Sequence, residues 1–194
     1  MSRLLAAFLV ASALIVSAGL EAVAAPRDTV ENQMDAAPEW IERDRKAAVR
    51  GDLDAQYRLA GAYNYGKGVP ENHAEAAKWY RLAAEVGHVR AQFKLGNLYH
   101  YGEGVPLDDE VAAEWLELAA ESGHATAQLF VSALYRFGRG VPLDLVRSYL
   151  WAEQAASNGE FIGVSFMRLA AVGMTDAQRT ETESRAKYRL LPYE

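Results

Sequence analysis

The sequence predicts an all-α solenoid of helix-turn-helix units with a 36-residue period and no β-sheet. Three observations predict it. Eleven residue positions recur in triplicate at one offset, without a gap, between Asp52 and Gly159. Within each unit the apolar residues fall at helical spacings, and no segment alternates with period two. Each unit also carries a glycine-and-proline turn in its middle and a glycine at its end, which divide it into two short helices.

The chain has 194 residues, 51% of them apolar and 24% charged, a balance that supports a packed core. Cysteine is absent, which excludes disulfides, thiolate zinc sites, a cysteine nucleophile and a lipoprotein anchor. The formal charge is −6, opposite in sign to that of a nucleic-acid binder, so no nucleic-acid partner is expected.

The first segment, 1–24, reads as a signal peptide. Arg3 supplies the positive start, Leu4 to Leu20 is apolar apart from small residues, and Ala22-Val23-Ala24 is a small-x-small cleavage site. Cleavage is expected between Ala24 and Ala25, giving a periplasmic or secreted protein without further membrane contact. The alternative is an uncleaved inner-membrane anchor facing the periplasm, although seventeen apolar residues is short for a span. Residues 25–38, with Pro26 and Pro38, read as a flexible leader.

The units run 52–87, 88–123 and 124–159. Helix A of each covers roughly 53–65, 89–101 and 125–137. Ala55, Leu59 and Tyr63 share one face, as do Ala91, Leu95 and Tyr99, and Ala127, Val131 and Tyr135. Small residues lie beside them at Ala60, Gly96 and Ser132, where a neighbouring helix can approach closely. Gly66 and Gly68, with their repeats, end helix A, and Pro70, Pro106 and Pro142 bar its continuation. Helix B covers roughly 72–86, 108–122 and 144–158, with Asn72, Asp108 and Asp144 as N-caps. Its apolar stripe carries Trp79, Trp115 and Trp151, read as buried core. With Leu59, Tyr63, Leu95, Tyr99 and Tyr135 they form the expected repeat core. Residues 39–51 make an N-terminal half unit. Residues 160–194 hold a partial unit, extended by Gly163, Phe166 and Ala170, then a polar capping helix to about Arg189.

The pattern A-Q-x-x-L-(A/G)-x-x-Y-x-x-G-x-G-V-P, followed by a tryptophan and A-A-E-x-G-H, resembles the Sel-1-like repeat family. That family is a branch of the tetratricopeptide-like α-solenoids. The copy from Ala91 through Tyr99 to Pro106 fits best, and the likeness covers 47–159 strongly and 160–189 weakly. Unit three departs from the pattern: Ala152 stands where an aromatic follows the tryptophan, and Ser148-Tyr149 replaces Ala-Ala. The resemblance implies a right-handed superhelix acting as an adaptor between proteins, with helix A on the concave face and helix B on the convex one. Exported bacterial members serve envelope signalling, polysaccharide export or morphogenesis. A cysteine-rich branch is linked to β-lactam binding, and the lack of cysteine argues against that branch.

Catalytic motifs are wanting. There is no Walker loop, no nucleotide-binding glycine triplet and no H-E-x-x-H, so no enzyme activity and no cofactor is expected. His88 and His124 share a repeat position at the mouth of helix A and read as structural rather than metal-binding. Charge separates the two helix types. The A windows hold Arg58, Arg90, Lys94 and Arg136 against Asp54, whereas residues 71–85, 107–121 and 143–157, which carry the B helices, hold eleven acids against Lys78, Arg81 and Arg147. With the orientation that the resemblance implies, this is a mildly basic groove inside an acidic shell.

The candidate groove residues are Tyr57, Arg58, Asn64 and Tyr65 in unit one. Phe93, Lys94, Asn97, His100 and Tyr101 follow in unit two, and Phe130, Arg136 and Phe137 in unit three. Arg58, Lys94 and Arg136 are expected to present their charges to one ligand. Aromatics beside bases suit a peptide or a partner protein's acidic segment. The alternative is a glycan or peptidoglycan, stacked on the same rings.

Overall fold

The computed structural model describes residues 37–189, with side chains to 184. The expected signal peptide and most of the leader lie outside the described residues.

Helices make up about three quarters of this span, and no strand occurs among the described residues. In chain order they are α1 (Glu39–Val49), α2 (Leu53–Asn64), α3 (His73–Glu85), α4 (Val89–Tyr101) and α5 (Asp109–Glu121). There follow α6 (Ala125–Phe137), α7 (Leu145–Ser157), α8 (Gly163–Gly173) and α9 (Asp176–Arg189). Consecutive helices pack against one another in the order α1 to α8, so A helices (α2, α4, α6, α8) alternate with B helices (α1, α3, α5, α7).

The helix boundaries follow local chemistry. Asn72, Asp108 and Asp144 each accept a backbone N–H of the first turn of their B helix, at 2.9–3.1 Å. Asp52 caps α2 in the same way, accepting from Ala55 N at 2.8 Å. His88 and His124 do so with imidazole: their Nδ1 atoms accept from Ala91 N at 3.1 Å and Ala127 N at 3.2 Å. Gly102 and Gly138 end α4 and α6 in the left-handed conformation.

The second glycine of the second and third turns has a further reason. A Cβ on Gly104 would lie 2.2 Å from the carbonyl carbon of His73, and one on Gly140 would lie 1.9 Å from the Asp109 carbonyl oxygen. Each turn therefore sits against the first residues of the preceding B helix, with room only for glycine.

The core runs between the A and B layers. Leu59 and Leu95 are fully buried, and Tyr135 is 5% exposed, while Tyr63 and Tyr99 are half-buried. The tryptophans differ from expectation. Trp79, Trp115 and Trp151 are half-buried, packed on the flanks of the clusters rather than inside them. The next residue on each B helix, Tyr80, Leu116 or Ala152, is the one that points at the A layer, with at most 1% exposure. A single residue step turns a helical side chain by about 100°, enough to move the ring from the core to the seam between units.

One polar tie recurs at each junction. Gln56, Gln92 and Gln128 donate from Nε2 to the carbonyls of Ala48, Ala84 and Ala120, at 3.0–3.2 Å. Each adds a second donor to a carbonyl in the last turn of the preceding B helix, which also accepts the N–H of Gly51, Gly87 or Gly123 at 3.0 Å.

At the C-terminal end, helix α9 packs against α7. Its sequence is almost wholly polar, so it has no apolar stripe to lay on α8. Phe161, Ile162, Leu169 and Val172 consequently stay 48–85% exposed.

Candidate partner-docking face

Successive A helices touch through long side chains, and these contacts define one face of the array. Arg90 on α4 reaches back to Asp54 on α2 at 3.5 Å and lies over the Tyr57 ring, 4.9 Å from its centroid. Lys94 on α4 donates to the Tyr65 hydroxyl at 2.8 Å. Phe93 on α4 meets Phe130 on α6 edge-on, with centroids 5.6 Å apart. Arg136 on α6 donates to the Leu169 carbonyl on α8.

The structure changes the expected role of the three bases. Arg58 does not present a free charge: its guanidinium donates to both oxygens of Asp44 on α1, at 2.9 Å and 3.0 Å. That bidentate bond, together with the charge, holds the Asp44 carboxyl below its usual range. Asp44 is buried and occupies the row filled by Tyr80, Leu116 and Ala152 in the full units. A lone acid in a core row was the signal for this pair. Arg136 is engaged with the Leu169 carbonyl and the Phe137 ring. Lys94 donates to the Tyr65 hydroxyl and lies over the Tyr65 ring.

Tyr57 and Phe93 are half-buried and stack on His88 and His124, the caps of the following A helices, with centroids 5.0 Å and 4.6 Å apart. They bind unit to unit. Burial pushes the His124 imidazole below its ordinary value. Asn97 is half-buried, and its Oδ1 has no protein partner.

Asn64 and His100 belong to the turn edge. Asn64 Oδ1 lies 3.3 Å from His73 Nδ1. His100 Nδ1 lies 2.8 Å from Asp109, which also accepts two bonds from Arg139 of the next turn, at 3.0 Å and 3.2 Å. Sequence reading missed Asp109 and Arg139, because the acid hides beside the cap Asp108 and the partners lie 9 and 30 residues apart.

What stays open on this face is a row of rings. Tyr65, Tyr101 and Phe137 stand at one repeat position at the ends of α2, α4 and α6, and are 51%, 57% and 65% exposed. Among the described residues no three His, Asp or Glu side chains gather as metal ligands would.

Comparison with known proteins matches this geometry to one family. The family model for the Sel1 repeat matches residues 53–88, 89–124 and 125–160. A Sel1 repeat protein from Oxalobacter formigenes is similar in structure, with TM-score 0.62 and 35% identity over 68% of this chain and 98% of that one. So is c5321, described as a protective antigen present in uropathogenic Escherichia coli strains and displaying an SLR fold. Its TM-score is 0.56 and its identity 30%, over 79% of this chain and 41% of its own. No curated protein matches the chain closely.

Proposed function

Because the chain belongs to the Sel1 repeat family, whose members are generally protein-interaction scaffolds, we propose that it is an exported adaptor holding a peptide or partner protein along its A-helix face. The observation that carries this reading is the row Tyr65, Tyr101 and Phe137. Large rings left exposed at one position in three successive units form a periodic apolar surface, and such surfaces mark interaction sites on soluble proteins. Tyrosine suits the role because it offers area and a hydroxyl at small entropic cost.

Export rests on Arg3, the apolar run and Ala22-Val23-Ala24. It places the partner in the envelope or outside the cell. The bonds that occupy Arg58 and Arg136 weaken the case for a ligand held by three charges and shift the weight to the rings.

The test is affinity capture from envelope extract with two variants. Tyr101→Ala on the A-helix face should abolish capture, and Leu118→Ala on a B helix should leave it unchanged. Equal capture by both variants would remove the A-helix face as the site. A partner retained undiminished in high salt by the wild type, yet displaced by soluble glycan, would favour the sugar-binding alternative.

A further inference from the structure

The exposed row of rings is not uniform along its length. We propose that its two ends recognise different chemistry, a carboxylate at the Tyr65 end and an apolar side chain at the Phe137 end, on one extended peptide. This inference rests on the A-helix face being the docking surface.

At the Tyr65 end two lysines flank one ring. Lys67 Nζ lies 5.5 Å from the Tyr65 centroid and Lys94 Nζ 5.6 Å, with Lys94 also donating to the hydroxyl. Neither ammonium has a carboxylate partner among the described residues. The other cations on this face do have partners: Arg58 holds Asp44, and Arg90 approaches Asp54. At the position of Lys67 the second unit carries Glu103, and the third carries Arg139, which is tied to Asp109. An acceptor between Lys67 and Lys94 would gain two charge-assisted donors, and no other unit repeats that pairing.

At the other end the surface turns apolar. Phe137 is 65% exposed, and on α8 Leu169 and Val172 are 48% and 82% exposed. Arg136, beside Phe137 in the chain, donates to the Leu169 carbonyl. The polar α9 leaves this patch uncovered.

The spacing sets the ligand. Tyr65 and Phe137 are two units apart, and neighbouring helices at about 10 Å put them about 20 Å from each other. An extended chain rises about 3.3 Å per residue, so the acidic and apolar residues should be separated by roughly six positions.

The probe is a synthetic peptide with Glu-Glu at one end and Leu-Phe at the other, six positions apart on a glycine-serine background, made in both orders. It is titrated into the 15N-labelled full chain. The expected result is joint perturbation of signals near Lys67 and Lys94 and near Phe137 and Leu169. Peptides lacking either end should bind about tenfold more weakly. Lys67→Gln with Lys94→Gln should erase the advantage of the glutamates and leave the helical spectrum unchanged. Equal binding by the peptide without glutamate would overturn the two-ended recognition while keeping the A-helix face. Perturbation confined to α3, α5 and α7 would overturn both, and so would no binding of either order.

Discussion

His124 caps α6 through Nδ1, and an atom that accepts a hydrogen bond cannot also carry the proton. The folded chain therefore holds this imidazole neutral, with the proton on Nε2. The net effect of its surroundings has the same direction: burial is the largest cause, a backbone hydrogen bond and Glu160 oppose it, and Lys94 and Arg90 add to it. The folded-state pKa lies below the ordinary value of 6.5. Between the two values the unfolded chain binds a proton that the folded chain does not, so stability falls as pH drops. The contribution is fully present above 6.5 and is lost as pH falls through the folded value. His124→Asn keeps a capping side chain and removes the titration. Its melting temperature should fall less than that of the wild type between pH 7 and about pH 5. Identical slopes for the two proteins would show that the cap does not titrate.

At the scale of elements, the turn glycines separate two costs. Gly123 has φ of 85° and open space around its missing Cβ, so Gly123→Ala should cost only backbone strain, about 1–2 kcal/mol. Gly140 has φ of 69° and no space, because the Asp109 carbonyl fills the position. Gly140→Ala should cost about 3 kcal/mol or more, since α5 and the turn must part. Urea unfolding of both variants checks the difference, and equal midpoints would contradict the close packing of turn on helix. The B helices supply a second contrast. Leu116→Ala removes a fully buried side chain and should cost about 2–5 kcal/mol. Trp115→Ala removes a larger ring that keeps contact with water, and should cost about 2 kcal/mol. A markedly larger loss for Trp115 would restore the tryptophan to the centre of the core.

For the whole molecule, the period was legible because each unit repeats its own stops and starts. Gly66, Pro70, Asn72 and their copies act on the chain locally, so their meaning does not depend on the neighbours. The choice between Trp115 and Leu116 was harder, since both fit a helical stripe and only the neighbouring unit decides which one the A layer covers. The candidate face was harder still. Arg58 looks like a free base until α1 brings Asp44 to it, and Lys67 looks like a loop residue until α4 places Lys94 across the same ring. Such pairs join side chains from different units, and a pattern read one unit at a time does not contain them.

The central claim is that partners meet the A-helix face of this solenoid. Hydroxyl-radical footprinting of the full chain, alone and with its captured partner, tests it most directly. Both faces carry reporters: Tyr65, Tyr101 and Phe137 on the A helices, and Leu82 and Leu118, 47% and 44% exposed, on the B helices. The account predicts that oxidation of the three rings falls in the complex while that of the two leucines is unchanged. Protection of Leu82 and Leu118 with the rings still reactive would contradict it.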